Sequence, residues 1–495
     1  MSGRILLLLL AIVGGVSCTQ TEVVTGDSID SAPAEVSFSV STVADPLPTR
    51  AGAMGFISST DMLKGADYGF GVFAFYTDGN VWDYFDGTSG KELLPPNFMY
   101  NQLVEWTDVE GEEGAWLYNP VKYWPNDNTP ADDEGATGSQ EHSYVSFFAY
   151  APYVAEASLV GTETGIYALS GNAEVGSPFL CYRLDTKGGN LLKTGEEQVD
   201  LLWGLRGKYT YQEADGTDNT IPTLGNAYNT DLTKQTVNEQ VKFLFKHALS
   251  RFTITVQGLF DHINNEDESP NYPIDVNENT KILIESVDFD GSPLFKEGKL
   301  YIAPRVGSTD VPEWDVTGSA NLNMKVEGTD INPEMSDTYE VERGGATETY
   351  HHDALIDRTD AADALTDFEA LPTGVTHTER SLFISEDTYY LVIPNKGQVT
   401  TDTPMKIRMV YYVITYDPQL KLNTPKYYSI VKNDVTATFS TAFAFEANKS
   451  YKLRLEPGLT TVKFEVLEID EWGRSIVLDA VVKDWVVETH EYNVE

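Results

Sequence analysis

Residues 241–256, VKFLFKHALSRFTITV, decide the fold class of this chain. The run holds two apolar stretches separated by Ala-Leu-Ser at 248–250. In the second stretch Phe252, Ile254 and Val256 alternate with Thr and Arg, which is the period of two expected of a β-strand with one buried face. The pattern therefore predicts two strands in close succession.

Similar apolar runs occur on both sides of this stretch, and Gly, Pro, Asn and Asp residues punctuate them. One of them, 69–76 (GFGVFAFY), is followed by Asp78-Gly79, a pair typical of hairpin turns. Helical periodicity is weak, and the best candidate helix is short, at 353–371. This pattern predicts an all-β chain made of β-sandwiches. The predicted strands are 69–76, 144–150, 199–203, 241–247, 251–256, 282–289, 389–393, 405–416, 435–445, 451–455 and 462–466.

The predicted strands fall into two groups, separated by a polar, acidic and Pro-containing stretch at 257–279. A chain of 495 residues is long enough for two large all-β domains. We therefore predict an N-terminal β-sandwich at 51–257 and a C-terminal β-sandwich at 258–495, with the boundary placed to within about 25 residues.

Charge and cysteine content exclude several classes of function. The chain has 34 Lys and Arg residues against 76 Asp and Glu residues, and its formal charge is −42. A field this negative repels phosphate, which argues against binding to nucleic acid or to anionic lipid. The two cysteines, Cys18 and Cys181, provide no disulfide framework and no Cys-based metal centre.

Residues 1–18 have the features of an export signal. Arg4 precedes an unbroken apolar run at 5–13, and small residues then lead to Cys18. About ten apolar residues are too few to span a bilayer but fit the core of a signal peptide. A small residue before the cysteine is what a bacterial lipoprotein signal peptidase needs, so we predict that Cys18 is lipidated. An ordinary secretory signal with an incidental Cys18 is the alternative.

Residues 19–50 form a leader that contains one clear strand signal, EVSFSVS at 35–41. Val36, Phe38 and Val40 point one way and the serines point the other way. We therefore predict a half-buried strand within the leader.

A candidate cleavage site follows this strand. The loop at 45–53 contains two prolines, which keep it out of a regular ladder, and exposed loops of this kind are preferred by proteases. Arg50 is the first basic residue after Arg4, so a trypsin-like protease would meet the Arg50-Ala51 bond first. An ordinary linker arginine is the alternative.

The sequence contains no recognisable catalytic motif. None of the seven histidines lies in an HExxH pattern, and there is no Gly-x-Ser-x-Gly elbow, P-loop or dinucleotide fingerprint. His351-His352-Asp353 offers metal-ligand types, but neighbours on a strand point to opposite faces. The acidic loop at 126–134 lacks EF-hand spacing. We therefore predict no enzymatic activity, no cofactor and no metal.

Weak motifs spread along the whole chain carry a family resemblance through their order. They are Cys18 with the leader strand, Thr49-Arg50-Ala51, GFGVFA at 69–74, PVKYWP at 120–125, SFFAYAP at 146–152, VDLL at 199–202, FKHALSR at 245–251, NKSY at 448–451 and a terminal Trp region. In this order they resemble the fimbrillin-type subunits of Bacteroidales, the family of major and minor fimbrium proteins whose assemblies are called type V pili.

The resemblance implies two transthyretin-like β-sandwich domains in tandem and a structural role in a cell-surface fimbria that supports adhesion. It implies export as an outer membrane lipoprotein precursor and removal of the leader by an arginine-specific or trypsin-like protease. The cut maps to Arg50-Ala51, and the lost strand carries Val36, Phe38 and Val40. A strand from another fimbrial subunit then fills the groove. A host or glycan ligand is a further partner implied by adhesion.

The resemblance places the incoming strand in the C-terminal tail, at about 475–495. Loss of an edge strand leaves unpaired backbone groups beside an apolar groove, which a strand from another chain can repair. Alternation breaks between Ala480 and Trp485, so the register stays open. The candidate donor residues are Ile476, Leu478, Ala480, Val482, Trp485 and Val487.

The alternative function is a monomeric surface lipoprotein of the same fold that binds glycans. Aromatic side chains stack on sugars, but they also pack in cores and pair across strands. The candidate rings are Trp82, Tyr84, Trp106, Trp116, Tyr118, Tyr123 and Trp124. The position of the chain in a filament, as shaft, anchor or tip, is also left open by the sequence.

Overall fold

The structure is a computed structural model. It describes residues 35–42, 55, 57, 60–65, 68–108, 114–125, 143–159, 164–207, 209–212, 218–221, 227–233, 240–258, 279–308, 312–343, 345–351, 371–417, 419, 428–439, 443–458, 462–470 and 474–476. In this part the chain is built almost entirely of β-strands, which confirms the all-β prediction.

The described residues form 28 strands and one short α-helix, Thr60–Leu63. The strands are β1 (Ser37–Thr42), β2 (Phe70–Thr77), β3 (Met99–Thr107), β4 (Ala115–Leu117), β5 (Tyr144–Ala151), β6 (Gly165–Leu169), β7 (Phe179–Arg183), β8 (Thr186–Lys187), β9 (Leu191–Leu192), β10 (Leu202–Arg206), β11 (Tyr209–Gln212), β12 (Asp218–Ile221), β13 (Asn229–Leu232), β14 (Gln240–His247), β15 (Ser250–Val256), β16 (Thr280–Asp288), β17 (Glu297–Tyr301), β18 (Glu313–Asp315), β19 (Lys325–Glu327), β20 (Thr338–Arg343), β21 (Ala346–His351), β22 (Arg380–Ser381), β23 (Tyr390–Val392), β24 (Lys406–Tyr416), β25 (Tyr428–Thr438), β26 (Ser450–Pro457), β27 (Val462–Asp470) and β28 (Arg474–Ile476). Turns of 3₁₀-helix lie at Val81–Tyr84, Glu156–Ser158, Gly188–Asn190, Gly195–Glu197 and Gly328–Asp330.

Several predicted strands differ from the structure at their ends, and two of the differences have a packing cause. β10 begins only at Leu202, because Asp200 is fully buried and accepts a hydrogen bond from the backbone N–H of Ile57. β25 ends at Thr438, and Phe445 lies in a loop where its N–H donates to Asn395 Oδ1 at 2.7 Å. The apolar pattern there reflects a core loop and not a strand. Most of the candidate helix at 353–371 lies outside the described residues.

The first large sheet has the strand order β1-β14-β10-β5-β2-β3-β4, and β13 adds to β5. Its central strands are buried on both faces: Phe70 and Val72 of β2 point to one side, and Phe73 and Phe75 point to the other. This explains why β2 is an almost continuous apolar run and not an alternating one.

Each face of this sheet covers its own apolar core. We call the core on the side of Phe70, which also contains Phe147 and Phe243, the leader core, because Val36 and Phe38 of the leader lie in it. The core on the opposite side, which includes Phe73 and Phe75, continues into the second half of the chain. The leader is therefore part of only one of the two cores.

The second half of the chain has two main sheets, ordered β22-β15-β26-β27-β28, with β23 on β15, and β19-β16-β24-β25. Because β15 pairs with β26, sheet membership changes between His247 and Ser250, earlier than the predicted division at 257/258. A further sheet, β18-β17-β7-β6, joins strands from both halves of the chain.

A close contact between the halves also occurs at Gly195. Its N–H donates to the carbonyl oxygen of Tyr389 at 2.7 Å. A Cβ atom at this position would overlap with the Tyr389 ring. Glycine is required here because the backbone of one half lies directly against an aromatic ring of the other half.

We predict that Gly195→Ala lowers the free energy of unfolding by about 1–3 kcal/mol, since the added methyl group forces the Tyr389 ring or the 195–197 turn to move. Urea unfolding followed by intrinsic fluorescence measures this change. Gly188→Ala is the matched control, because no atom lies within 4 Å of the Cβ position there. Equal stability of the two variants would contradict the packing argument.

Candidate functional site: the leader strand and its groove

The leader strand β1 is an edge strand of the first sheet, and it pairs in parallel with β14. The register runs from Ser37 opposite Gln240 to Thr42 opposite Phe245. Val36 and Phe38 are only 2% and 3% exposed, while the intervening serine is half-buried. The leader therefore covers an apolar groove with alternate side chains.

Phe38 is held by four aromatic rings. The centroids of Phe70, Phe147 and Phe243 lie 6.1, 5.9 and 6.1 Å from the centroid of Phe38, and the ring of Phe243 is stacked on it. The Tyr118 ring lies 5.3 Å away in an edge-on contact. Burial of a phenylalanine stabilises by about 1.5–3 kcal/mol, and each aromatic pair adds about 0.5–1.5 kcal/mol. We call these four rings the Phe38 socket.

The start of the leader strand also binds the other end of the same sheet. The N–H of Val36 donates to the carbonyl oxygen of Lys122 at 3.0 Å, and Glu35 forms an antiparallel bridge with Tyr123. These partners follow β4, the last strand of the sheet order, whereas β14 stands next to β1 at its beginning. The leader strand therefore closes the sheet around the leader core by bonding to both ends.

The Tyr118 hydroxyl connects the leader to this second edge. It donates to the carbonyl oxygen of Val36 at 2.9 Å and accepts a hydrogen bond from the N–H of Lys122 at 3.1 Å. Burial raises the pKa of Tyr118, and the backbone hydrogen bond with Lys122 partly offsets this effect. The hydroxyl therefore stays protonated at neutral pH and can keep donating to the leader backbone.

The chain after the leader is anchored separately. The N–H of Gly55 donates to the carbonyl oxygen of Gln198 at 2.7 Å, and the N–H of Ile57 donates to Asp200 Oδ2 at 2.9 Å. Nδ1 of His247 lies 2.8 Å from the same carboxylate oxygen. A cut between residues 43 and 54 would therefore leave both attachments of the body intact.

The structure places only some of the residues predicted for this site. Val36 and Phe38 are in the groove, and the backbone of Val40 stands opposite Phe243. Ile476 ends β28, where its backbone pairs with Glu468 of its own chain. The other predicted residues lie outside the described part: Cys18, Arg50, Ala51, Leu478, Ala480, Val482, Trp485 and Val487.

The residues that form the groove were not predicted as site residues. Phe147 and Phe243 lie within predicted strands, and Tyr118 was considered only as a possible sugar platform. Tyr118 and Lys122 are separated from Val36 by more than 80 residues. The sequence indicates the segment at 120–125 only as a family motif, and nothing in its spacing predicts that it binds the leader.

Most of the proposed sugar-stacking rings are packed inside the protein. Tyr84, Trp116 and Trp124 are 8%, 7% and 5% exposed. Trp82 packs against Phe85, Phe148 and Tyr228, and Lys64 covers the ring of Trp106. Of the seven candidates, Tyr123 alone is well exposed, at 48%.

Other candidate chemistry is sparse in the part of the chain that the structure describes. There, no three His, Cys, Asp or Glu side chains come together as a metal site requires. His351 Nδ1 lies 3.6 Å from Asp337 Oδ2, while His352, Asp353 and the loop at 126–134 lie outside that part. Cys181 is half-buried on β7, and burial raises the pKa of its thiol. Among the same residues, no helix has the length and apolarity needed to cross a membrane.

We predict that Phe38→Ala loosens the leader strand, because the socket loses its central ring. A loss of about 3 kcal/mol, the lower end for a buried Phe→Ala change, makes hydrogen exchange at the β1 amides about a hundredfold faster. Hydrogen exchange read by mass spectrometry on peptides from residues 35–42 measures this change. Ser39→Ala is the control on the half-exposed face, and equal exchange in both variants would contradict the role of the socket.

Comparison with known proteins identifies similar folds in solved structures. No protein-family model and no curated protein matches the sequence. A fimbrial protein from Bacteroides vulgatus is 18% identical, with a TM-score of 0.49, and the match covers 89% of this chain and 99% of that chain. A candidate cell adhesion protein from Bacteroides uniformis is 12% identical, with a TM-score of 0.34 and coverage of 88% and 99%.

The fimbrial anchor protein Mfa2 from Porphyromonas gingivalis is 8% identical, with a TM-score of 0.27 and coverage of 90% and 99%. Because these TM-scores are below 0.5, the functional proposal rests on the geometry of the leader strand. The solved structures to which this chain is similar are fimbrial and candidate cell adhesion proteins of Bacteroidales, the group that the sequence resemblance names.

Proposed function

We propose that this chain is a structural subunit of a cell-surface fimbria that supports adhesion. In this proposal it is exported as an outer membrane lipoprotein acylated at Cys18, a trypsin-like or arginine-specific protease cuts the Arg50-Ala51 bond, and a strand of a neighbouring subunit replaces β1. The observation that supports it is that an edge strand from the leader fills the groove of the leader core.

The leader strand is attached in a way that makes its removal possible. As an edge strand it has one strand neighbour, β14, plus the contacts with residues 118–123. Before cleavage, residues 43–54 hold β1 beside its groove, so its binding is intramolecular. After cleavage this tether is lost, and with it the high effective concentration of the strand. A competing strand can then displace it.

An empty groove would be a strong site for another strand. Loss of β1 removes the cover from Phe70, Phe147 and Phe243 and leaves the backbone of β14 without a partner on one side. Exposed apolar surface beside an unpaired edge is repaired by strand addition, in which backbone hydrogen bonds supply affinity and alternate side chains supply specificity.

The proposed contact generates a filament. The groove lies in the first half of the chain. At the other end, the proposed donor residues begin with Ile476, the last residue of β28, and the others follow it in the tail. Because the two surfaces differ, each subunit offers one and uses the other, which gives a head-to-tail contact that does not close. Other fimbrial subunits are therefore the proposed partners.

The glycan-binding alternative has a single well-exposed ring among its seven candidates, so we retain the structural role.

We predict that trypsin converts the chain from Thr19 onward into a stable product that starts at Ala51, and that this product then forms ladders that resist cold detergent. Among the Lys and Arg residues after Arg50 that the structure describes, most lie on paired strands, which protects them from the protease. N-terminal sequencing and gel electrophoresis measure the two outcomes. Arg50→Gln is the control and should stay uncut and monomeric. A product that starts at Ala51 and remains monomeric would contradict the proposal.

We also predict that ladder formation strengthens with salt. The cleaved subunit, residues 51–495, has 32 Lys and Arg residues against 71 Asp and Glu residues and a formal charge of −39, so two copies repel each other. The screening length falls from about 30 Å at 0.01 M to about 8 Å at 0.15 M ionic strength. Ladder yield at fixed protein concentration should therefore rise over this range. Weaker ladders at 0.15 M would show that attraction between charges drives assembly.

A further inference from the structure

The direction of the leader strand fixes the end at which a replacement strand enters. β1 runs parallel to β14, from Ser37 beside Gln240 to Thr42 beside Phe245. Glu35, before β1, lies beside Tyr123. Parallel and antiparallel ladders place their hydrogen bonds differently, so a strand that reproduces the bonds of β1 must run in the same direction. It enters past Tyr123 and ends towards His247.

This direction determines where the body of the donor stands. Ile476 ends β28 and pairs with its own chain, and the other proposed donor residues follow it, so the donor's own sheet lies at the N-terminal end of the inserted strand. From Ile476 to Trp485 there are 485 − 476 = 9 residues, which span at most about 32 Å. With Trp485 in the groove, the β27–β28 hairpin of the neighbour therefore stands within about 32 Å of it, on the side of Tyr123.

The surface at this entrance is apolar. Leu117, Val121 and Tyr123 are 48%, 41% and 48% exposed, and all three lie within the seven residues 117–123, which we call the entrance loop. In the described part, the other large apolar side chains with comparable exposure are spread along the chain: Tyr76, Val175, Val306, Ile384 and Val431. Grouped apolar side chains on a surface mark a contact site, whereas single ones are ordinary.

Charge also favours contact at this surface. Residues 114–125 (GAWLYNPVKYWP) contain Lys122 and no acidic residue, although the chain has 76 Asp and Glu residues. For a second cleaved copy, with a formal charge of −39, this stretch offers weaker repulsion than an acidic segment, and the exposed acidic residue paired with it is Glu105 of β3, opposite Leu117. The entrance loop is therefore a surface that another acidic subunit can approach.

We propose that the entrance loop is the docking surface for the body of the neighbouring subunit, a second copy of this chain whose tail fills the groove. This inference rests on the proposed function. It adds a contact outside the groove: Leu117, Val121 and Tyr123 pack against the donor body at the point where its tail leaves it. The groove selects the strand, and the entrance loop selects the subunit that carries the strand.

The test separates binding of the strand from docking of the body. The test variant combines Leu117→Ser and Val121→Ser, and the control combines Val306→Ser and Val431→Ser at similarly exposed positions. Tyr123 is left unchanged because it forms a bridge with the leader strand. Two measurements are made on each trypsin-cleaved chain: binding of a synthetic peptide of residues 475–495, and the rate of ladder formation. We expect the test variant to bind the peptide within threefold of the unmodified chain but to form ladders at least tenfold more slowly. The control should match the unmodified chain in both measurements.

A cross-linking measurement tests the direction of entry. In a Cys181→Ser chain, Tyr123→Cys should cross-link to a tail peptide with a cysteine at its N-terminal end and not to one with a cysteine at its C-terminal end. Cross-linking to the C-terminal cysteine alone would overturn the inferred direction and, with it, the docking surface.

The remaining outcomes distinguish the two proposals. Normal ladders from the test variant would overturn the docking surface and leave the proposed function standing. Loss of peptide binding together with ladders in the test variant would also overturn it, because the loop would then act on the groove itself. An unmodified, cleaved chain that neither binds the peptide nor forms ladders would overturn the proposed function and the docking surface together.

Discussion

The insertion of Phe38 between the two ends of one sheet is the contact on which the organisation of the first half depends. Phe243 comes from β14 at one end of the sheet, Tyr118 follows β4 at the other end, and the ring of Phe38 touches both. The backbone follows the same arrangement, because the leader bonds to β14 and to Lys122. A single strand thus completes both the hydrogen bonding and the apolar core, so its presence or absence changes the state of the whole sheet.

Both halves of the chain contain a pair of parallel strands, but the first strand of each pair is joined to the rest of the chain in a different way. β1 pairs in parallel with β14, and β15 pairs in parallel with β26. β15 follows β14 after only Ala248 and Leu249, so no cut in an exposed loop can release it. β1 is joined to the body through residues 43–54, and the body holds Gly55 and Ile57 by its own hydrogen bonds. The first strand is therefore joined to the body by a linker in one half, whereas in the other half it continues almost directly from the preceding strand.

The acidity of the chain and the apolarity of its groove have separate roles. A formal charge of −42 keeps copies apart and soluble, and it disfavours indiscriminate contact between their surfaces. The proposed association uses the groove and the entrance loop, where apolar side chains are concentrated. The aromatic side chains contribute mainly to the apolar cores, because most of the rings considered as sugar platforms pack there.

The sequence alone determined the fold class, the strand within the leader and the positions of the long apolar strands, because alternation and apolar runs are local properties of a strand, whereas most of the short strands, such as β8 and β9, were not predicted. It could not determine what the leader strand binds, since Val36 meets Lys122 and Phe38 meets Phe243 across long stretches of chain. The start of β10 and the end of β25 were misplaced for a similar reason: Asp200 bonds to Ile57, and Asn395 bonds to Phe445. Tertiary structure alone decided that β1 closes a sheet, because closure depends on two distant edges meeting in space and leaves no periodic signal in the sequence.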